Sequence, residues 1–257
     1  MSNLTKRWPL GLNRRNWPDY LAFFVFALFI LLFFDVYASR GATAWDAEWR
    51  QPFQFITHFG LSDWVLIPGA LVFLASFTAY RFWSRTSRWR LALYEAAILS
   101  GFVFLSVGGT GLLTNLLKRF FGRGRPVVFD EVGAFDFRHV INDWTYQSFP
   151  SGHSTTAMAT ALVIGFLLPR FFRLFFVIAL FTGISRVVVG DHYPTDVLAG
   201  FVIGSVGAYA IRNYFAHRRW LFKAMPDGRV YFRGVPAIGR LLSALRRSDQ
   251  GRPADRP

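Results

Sequence analysis

The sequence predicts an all-α, polytopic membrane protein with six transmembrane helices and both termini in the cytoplasm. Three observations carry this. Of 257 residues, 53% are hydrophobic and 30 are Phe, which is too apolar and too aromatic for an ordinary soluble domain. The apolar residues fall in runs suited to a hydrocarbon core of about 30 Å. The basic residues fall in short segments between those runs, so the net charge of +14 reads as topology rather than as a nucleic-acid footprint. The partner expected is a membrane, and no nucleic acid. The chain has no Cys, which excludes a disulfide framework and a Cys-ligated metal. Its first apolar run is too long for the core of a cleavable signal.

The six spans are read at Tyr20–Ala38, Trp64–Tyr80, Leu91–Leu117, Ser154–Leu168, Phe172–Val189 and Pro194–Phe215. The third is long, and its end projects from the bilayer. The fourth is short for a span and begins at a Pro-Ser-Gly-His turn. With a cytoplasmic N-terminus, the cytoplasmic segments hold 21 of the 29 Lys and Arg, 11 of them from Arg212 onward. The positive-inside bias therefore places residues 118–126, 149–153 and 185–196 on the outer face. Residues 1–19 form a cytoplasmic N-terminus, 20–215 a six-helix domain and 216–257 a basic cytoplasmic tail.

Two stretches outside the spans are ambiguous. Trp45, Trp49, Phe53 and Ile56 recur at helical spacing, as in a helix lying along the interface, but Pro52 interrupts it. Simple anchoring aromatics explain the same residues. In the tail, Ile238, Leu241, Leu242 and Leu245 oppose Arg240, Arg246 and Arg247, a pattern that fits either an anionic leaflet or a solvated tail. Gly251–Pro257 reads as disordered. Gly108, Gly109 and Gly111 in the third span permit close helix packing.

The chemistry lies in three motifs. Lys118-x6-Arg125-Pro126 follows the third span. Pro150-Ser151-Gly152-His153 opens the fourth. Ser185-Arg186-x5-His192-x3-Asp196 joins the fifth and sixth. Lys118, Arg125 and Arg186 converging on one point would suit a dianionic phosphate and its transition state. Any one of them alone is more simply a headgroup anchor, and Arg119 and Arg123 are read that way, with Arg123 within reach of a substrate headgroup. Ser151 is a helix N-cap or a phosphate contact, and Gly152 lets the backbone approach a ligand. His153 stands where it can protonate a leaving oxygen. His192 and Asp196 are four apart, so the carboxylate can fix the imidazole tautomer. Equally, they are a helix start with an incidental His. Asp191, beside His192, would raise its pKa if the two were close.

Together these motifs resemble the signature of the type 2 phosphatidic acid phosphatase superfamily, which includes integral membrane lipid phosphatases and, more distantly, soluble vanadium haloperoxidases. The resemblance spans about Tyr20 to Phe215. It implies that His192 is a nucleophile forming a phosphohistidine and that Asp196 orients it. His153 serves as acid and then base. Lys118, Arg125, Arg186, Ser151 and Gly152 hold the phosphoryl oxygens, and neither a metal nor another cofactor is implied. A bell-shaped pH profile is expected, because attack needs neutral His192 and protonation of the leaving group needs charged His153.

The function expected is that of a metal-independent lipid phosphatase in a bacterial inner membrane, its site facing the periplasm. Undecaprenyl diphosphate or a glycerophospholipid phosphate leads as substrate, with lipid A behind. A catalytically silent lipid-binding or transport protein is the alternative. Phe135, Phe137, Trp144 and Tyr146, between the first two motifs, either meet lipid chains or seat the loop at the interface.

Overall fold

The computed structural model describes residues 4–83, 86–139 and 143–250. The expected disorder of Gly251–Pro257, and Arg85 among the cytoplasmic charges, lie outside them. The chain is predominantly helical: α1 Trp17–Thr43, α2 Ala47–Thr57, α3 Asp63–Thr78, α4 Ser87–Phe121, the short α5 Phe129–Val132, α6 Gly152–Leu167, α7 Phe172–Val188, α8 Pro194–His217 and α9 Pro236–Gln250. In hydrocarbon every backbone polar group must be satisfied within the chain, and long apolar runs meet that demand as helices.

Among the described residues, five helical segments are long and apolar enough to cross a membrane. The sixth predicted span is α6, only 16 residues, or about 24 Å at 1.5 Å per residue. It is enclosed by α4, α7 and α8, and nearly every residue from Ser154 to Phe166 is buried. Protein rather than lipid surrounds it, so bilayer thickness does not set its length. Its many Ala, Ser and Thr let neighbouring backbones approach. The closest neighbour is α8. A Cβ at Gly200 would lie 2.5 Å from the Ser151 carbonyl oxygen, and one at Gly204 would lie 2.5 Å from that of Thr155. This contact fixes the start of α8 against the start of α6. Of the three glycines expected to pack closely, only Gly108 meets another helix, 3.3 Å from Leu66; Gly109 and Gly111 face open space.

Residues 47–57 are helical despite Pro52. Pro52 forfeits one intrahelical hydrogen bond, yet the helix continues to Thr57 and packs on α7. Packing thus outweighs the lost bond. At the far end of the bundle from the motifs, β1 (Phe222–Ala224) and β2 (Val230–Phe232) form an antiparallel hairpin. Phe222 enters an aromatic cluster, its ring centroid 4.9 Å from that of Phe102. Arg212 donates to the carbonyls of Leu4 (2.5 Å) and Lys6 (2.6 Å), tying the N-terminal segment to the same end. In the tail, Val230–Phe232 thus form a strand, and the amphipathic stretch is α9. The Glu95 carboxylate accepts from the Ala237 and Ile238 N–H groups and seats α9 on the start of α4.

Candidate active site

The three motifs meet at one end of the bundle. The last turn of α4 carries Lys118, whose Nζ donates to the Gln147 carbonyl at 3.1 Å. Gly122 then ends the helix with φ +60, returning its N–H to the Lys118 carbonyl. That left-handed residue favours glycine, and a Cβ there would lie 1.9 Å from the Arg138 carbonyl. The loop beyond is pinned at several points. Arg125 N–H donates to the Thr145 carbonyl at 2.7 Å, and Ser148 N–H donates to the Arg123 carbonyl at 3.0 Å.

Ser151 is the N-cap of α6. Its hydroxyl accepts from Ser154 N–H (3.4 Å) and Ser154 Oγ (2.9 Å). Its own N–H donates to the Asp196 carbonyl at 2.9 Å. Gly152 lies beside Lys118, since a Cβ there would be 3.8 Å from Lys118 Nζ. His153 follows; burial, and then the charges of Arg186, Lys118, Arg125 and His58, hold its pKa down at about 3, so it carries a proton near neutrality only when a bound phosphate offsets those cations. The turn between α2 and α3 covers it. At Gly60 a Cβ would lie 2.7 Å from the Cβ of His153, so no larger residue fits.

The third motif folds back on itself. Asp191 and His192 N–H groups both donate to the Arg186 carbonyl, at 3.1 and 3.2 Å. This brings the Asp191 carboxylate onto two guanidiniums: it pairs with Arg125 at 3.2 Å and makes a shorter bond to Arg186. Asp191 therefore serves the cations rather than His192. Arg186 also donates to Thr57 Oγ1 of α2 at 2.5 Å. Even so, Arg125 Nε and Arg186 Nε are buried without a hydrogen-bond partner, and Lys118 has donors to spare. The three predicted cations thus share one locus with unused N–H groups.

His192 is 1% exposed, and its Nδ1 lies 3.5 Å from Asp196 Oδ2, beyond ordinary hydrogen-bond length. Asp196 has closer partners. Oδ1 accepts from Arg123 Nη1 at 2.7 Å. Oδ2 accepts from Ser148 Oγ at 2.5 Å and from Tyr193 N–H at 2.9 Å. Burial drives the His192 pKa well below its ordinary value. Lys118 and Arg125 push the same way, while Asp196 opposes. The imidazole is accordingly neutral near pH 7, as a nucleophile requires.

Arg123 departs from expectation. It is no headgroup anchor but 2% exposed, bonded at once to Asp196 and, at 2.8 Å, to Asp35 of α1. Burial works against its charge, yet the two carboxylates more than offset this and hold its pKa above the usual range. Sequence reasoning missed Asp35, Thr57, Gly60 and Ser148. Only Asp35 had a local signal, as an acid inside an apolar run. Of the loop aromatics, Phe135, Phe137 and Trp144 are exposed, whereas Tyr146 is buried and donates to Asp136 at 3.2 Å.

This fold and this cation–histidine cluster agree with what the chain resembles. The chain belongs to the PAP2 superfamily, whose family model matches residues 100–220, and it is a membrane lipid phosphatase. It is 35% identical over 231 residues, covering 88% of this chain and 93% of the relative, to a lipid A 1-phosphatase of Rhizobium johnstonii. It is 31% identical to phosphatidylglycerophosphatase B of Bacillus subtilis, over 70% of this chain and 82% of that protein. Among solved structures it resembles a transmembrane PAP2-type phosphatidylglycerolphosphate phosphatase from Bacillus subtilis. The TM-score is 0.50 with 25% identity, over 77% of this chain and 95% of the other.

Proposed function

We propose that the chain hydrolyses the phosphate of a glycolipid of the lipid A class by double displacement at His192. The imidazole nitrogen turned away from Asp196 attacks phosphorus as the bond to the lipid oxygen breaks, and His153 delivers a proton to that oxygen. Water then attacks the phosphohistidine. His153 takes its proton, and the P–N bond breaks to release phosphate. Lys118, Arg125 and Arg186 hold the phosphoryl oxygens throughout, helped by Ser151 and the Gly152 N–H. Asp196 orients His192 and supports its cationic form. The observation that carries this is a neutral, buried His192 beside a cation cluster with unused donors.

Similarity to a lipid A 1-phosphatase over nearly that protein's whole length moves a sugar phosphate ahead of the polyprenyl diphosphates and glycerophospholipids favoured from sequence. The charge asymmetry supports a sixth crossing at α6, both termini in the cytoplasm and a site on the outer face of the inner membrane. The test is phosphate release in detergent with EDTA present. The substrates are lipid A, phosphatidylglycerol phosphate, undecaprenyl diphosphate and phosphatidic acid, with His192→Ala as control. Preferential release from lipid A, absent in the variant, is expected. Preference for another lipid would refute the substrate, and turnover by His192→Ala would refute the mechanism.

A further inference from the structure

We propose that Asp35, on the first helix, is a positioning residue for the reaction, acting on His192 through Arg123, Thr195 and Asp196. The inference rests on the double-displacement reading above. Asp35 stands in the run Phe33-Phe34-Asp35-Val36-Tyr37, whose aromatic members are exposed on the outside of the bundle. Asp35 itself has 0% exposure. An acid there is expensive unless each oxygen is used, and each is. Oδ1 accepts from Thr195 N–H at 3.0 Å. Oδ2 accepts from Thr195 Oγ1 at 2.6 Å and from Arg123 Nη2 at 2.8 Å.

The other side of the cluster is equally closed. Arg123 Nη1 donates to Asp196 Oδ1 and to Thr195 Oγ1, both at 2.7 Å. Its Nε donates to the Ala134 carbonyl at 3.1 Å, and its guanidinium lies 4.3 Å from the centre of the Tyr193 ring. Two consequences follow. First, Thr195 is the second residue of α8, so its N–H has no partner within the helix. Asp35 caps it from another helix and fixes the turn that carries Asp196. Second, one guanidinium is shared by two carboxylates. With both carboxylates ionised the trio carries a net negative charge, and Asp196 is then not neutralised on the side facing His192. Without the Asp35 charge, Arg123 would be paired with Asp196 alone, and the support for a cationic His192 would weaken.

The two consequences separate positioning from mere scaffolding. His192 feels Asp196 of α8, Lys118 of α4 and Arg125 of the following loop, and none of these is altered by Asp35→Asn. The variant keeps size and shape but loses the charge. Its kcat should fall about 10- to 100-fold, by analogy with the partners that orient metal-ligating histidines. KM should stay within about twofold, because the phosphate-holding cations are untouched. The acid limb of kcat/KM should move to lower pH, because Arg123, no longer shared with Asp35, offsets more of the Asp196 charge that supports a cationic His192.

The experiment measures kcat, KM and pH profile on the preferred lipid for the wild-type protein, Asp35→Asn and Thr195→Val. Asp130→Asn, an exposed acid at the same end, serves as control and should match the wild type. Thr195→Val breaks the hydroxyl link without changing charge, so it should lower kcat and leave the acid limb in place. It also keeps the test open if Asp35→Asn cannot be purified folded. A scaffolding role would only reduce the amount of active enzyme, leaving the pH profile of Asp35→Asn unmoved. That result, or a wild-type kcat in either variant, overturns the proposal. Turnover by His192→Ala would overturn the reading beneath it instead.

Discussion

Arg123 and Arg125 stand two residues apart and end in opposite kinds of place. Arg123 spends its donors on Asp35, Asp196, Thr195 and the Ala134 carbonyl, behind a surface that excludes water. Arg125 has one carboxylate partner, Asp191 at 3.2 Å, and an unpartnered Nε. Burial lowers the Arg125 pKa, and Asp191 and Asp196 offset this only in part. The same chemical group thus does two things. In a closed cluster, where every guanidinium nitrogen has a partner, it fixes geometry. In an open cluster, where donors remain and the Arg125 side chain is 14% exposed, it is, in the function proposed above, the group left for a ligand. The difference lies in the number of carboxylates supplied, and that number depends on α1, which brings Asp35 to one arginine and not to the other.

The largest effect should come from the group both clusters serve. His192→Ala removes the proposed nucleophile and should cost about a thousandfold or more in turnover, read as phosphate release. Next, Arg123→Lys should break the closed cluster. A compact ammonium cannot span Asp35, Thr195 and Asp196 at once, and a buried pair left incomplete costs about 3–5 kcal/mol. Thermal unfolding in detergent should show a marked drop. Arg125→Lys should leave unfolding nearly unchanged but weaken phosphate binding about tenfold or more, since a charge-assisted bond contributes roughly 1.5–3 kcal/mol. The mildest effect concerns pH. Because the His192 pKa is depressed, the neutral nucleophile persists as pH falls, and activity is lost only on passing the lowered value. The acid limb of kcat/KM should therefore lie below the ordinary histidine value of about 6.5. A limb at or above that value would contradict the burial of His192.

Much of this was legible in the sequence, and the gaps have physical causes. Apolar runs report helices because the bilayer leaves few alternatives, and the predicted spans agree with the helices to within a few residues. That the three motifs would meet was legible because phosphate chemistry would need their side chains together, and they do lie at one end of the bundle. Arg123 was misread because its partners come from α1 and α8, far off in the chain, while its neighbours are merely basic. Gly60 was invisible for the same reason: the side chain it makes room for, His153, belongs to another helix. The glycines of α4 drew attention as a cluster, yet close approach falls at Gly200 and Gly204, which only the packing of α8 on α6 reveals. The hairpin escaped because its strands are three residues each, too short for alternation to register.

The division between closed and open clusters is tested most directly by the inhibition constant of inorganic phosphate in Arg123→Lys and Arg125→Lys. An inhibition constant does not depend on how much of the enzyme is active, so partial misfolding of the first variant does not distort it. Weakened inhibition in Arg125→Lys, with wild-type inhibition in Arg123→Lys despite its lower kcat, is the result predicted. Equal weakening in both would contradict the account, because it would make Arg123 a ligand-holding group like Arg125.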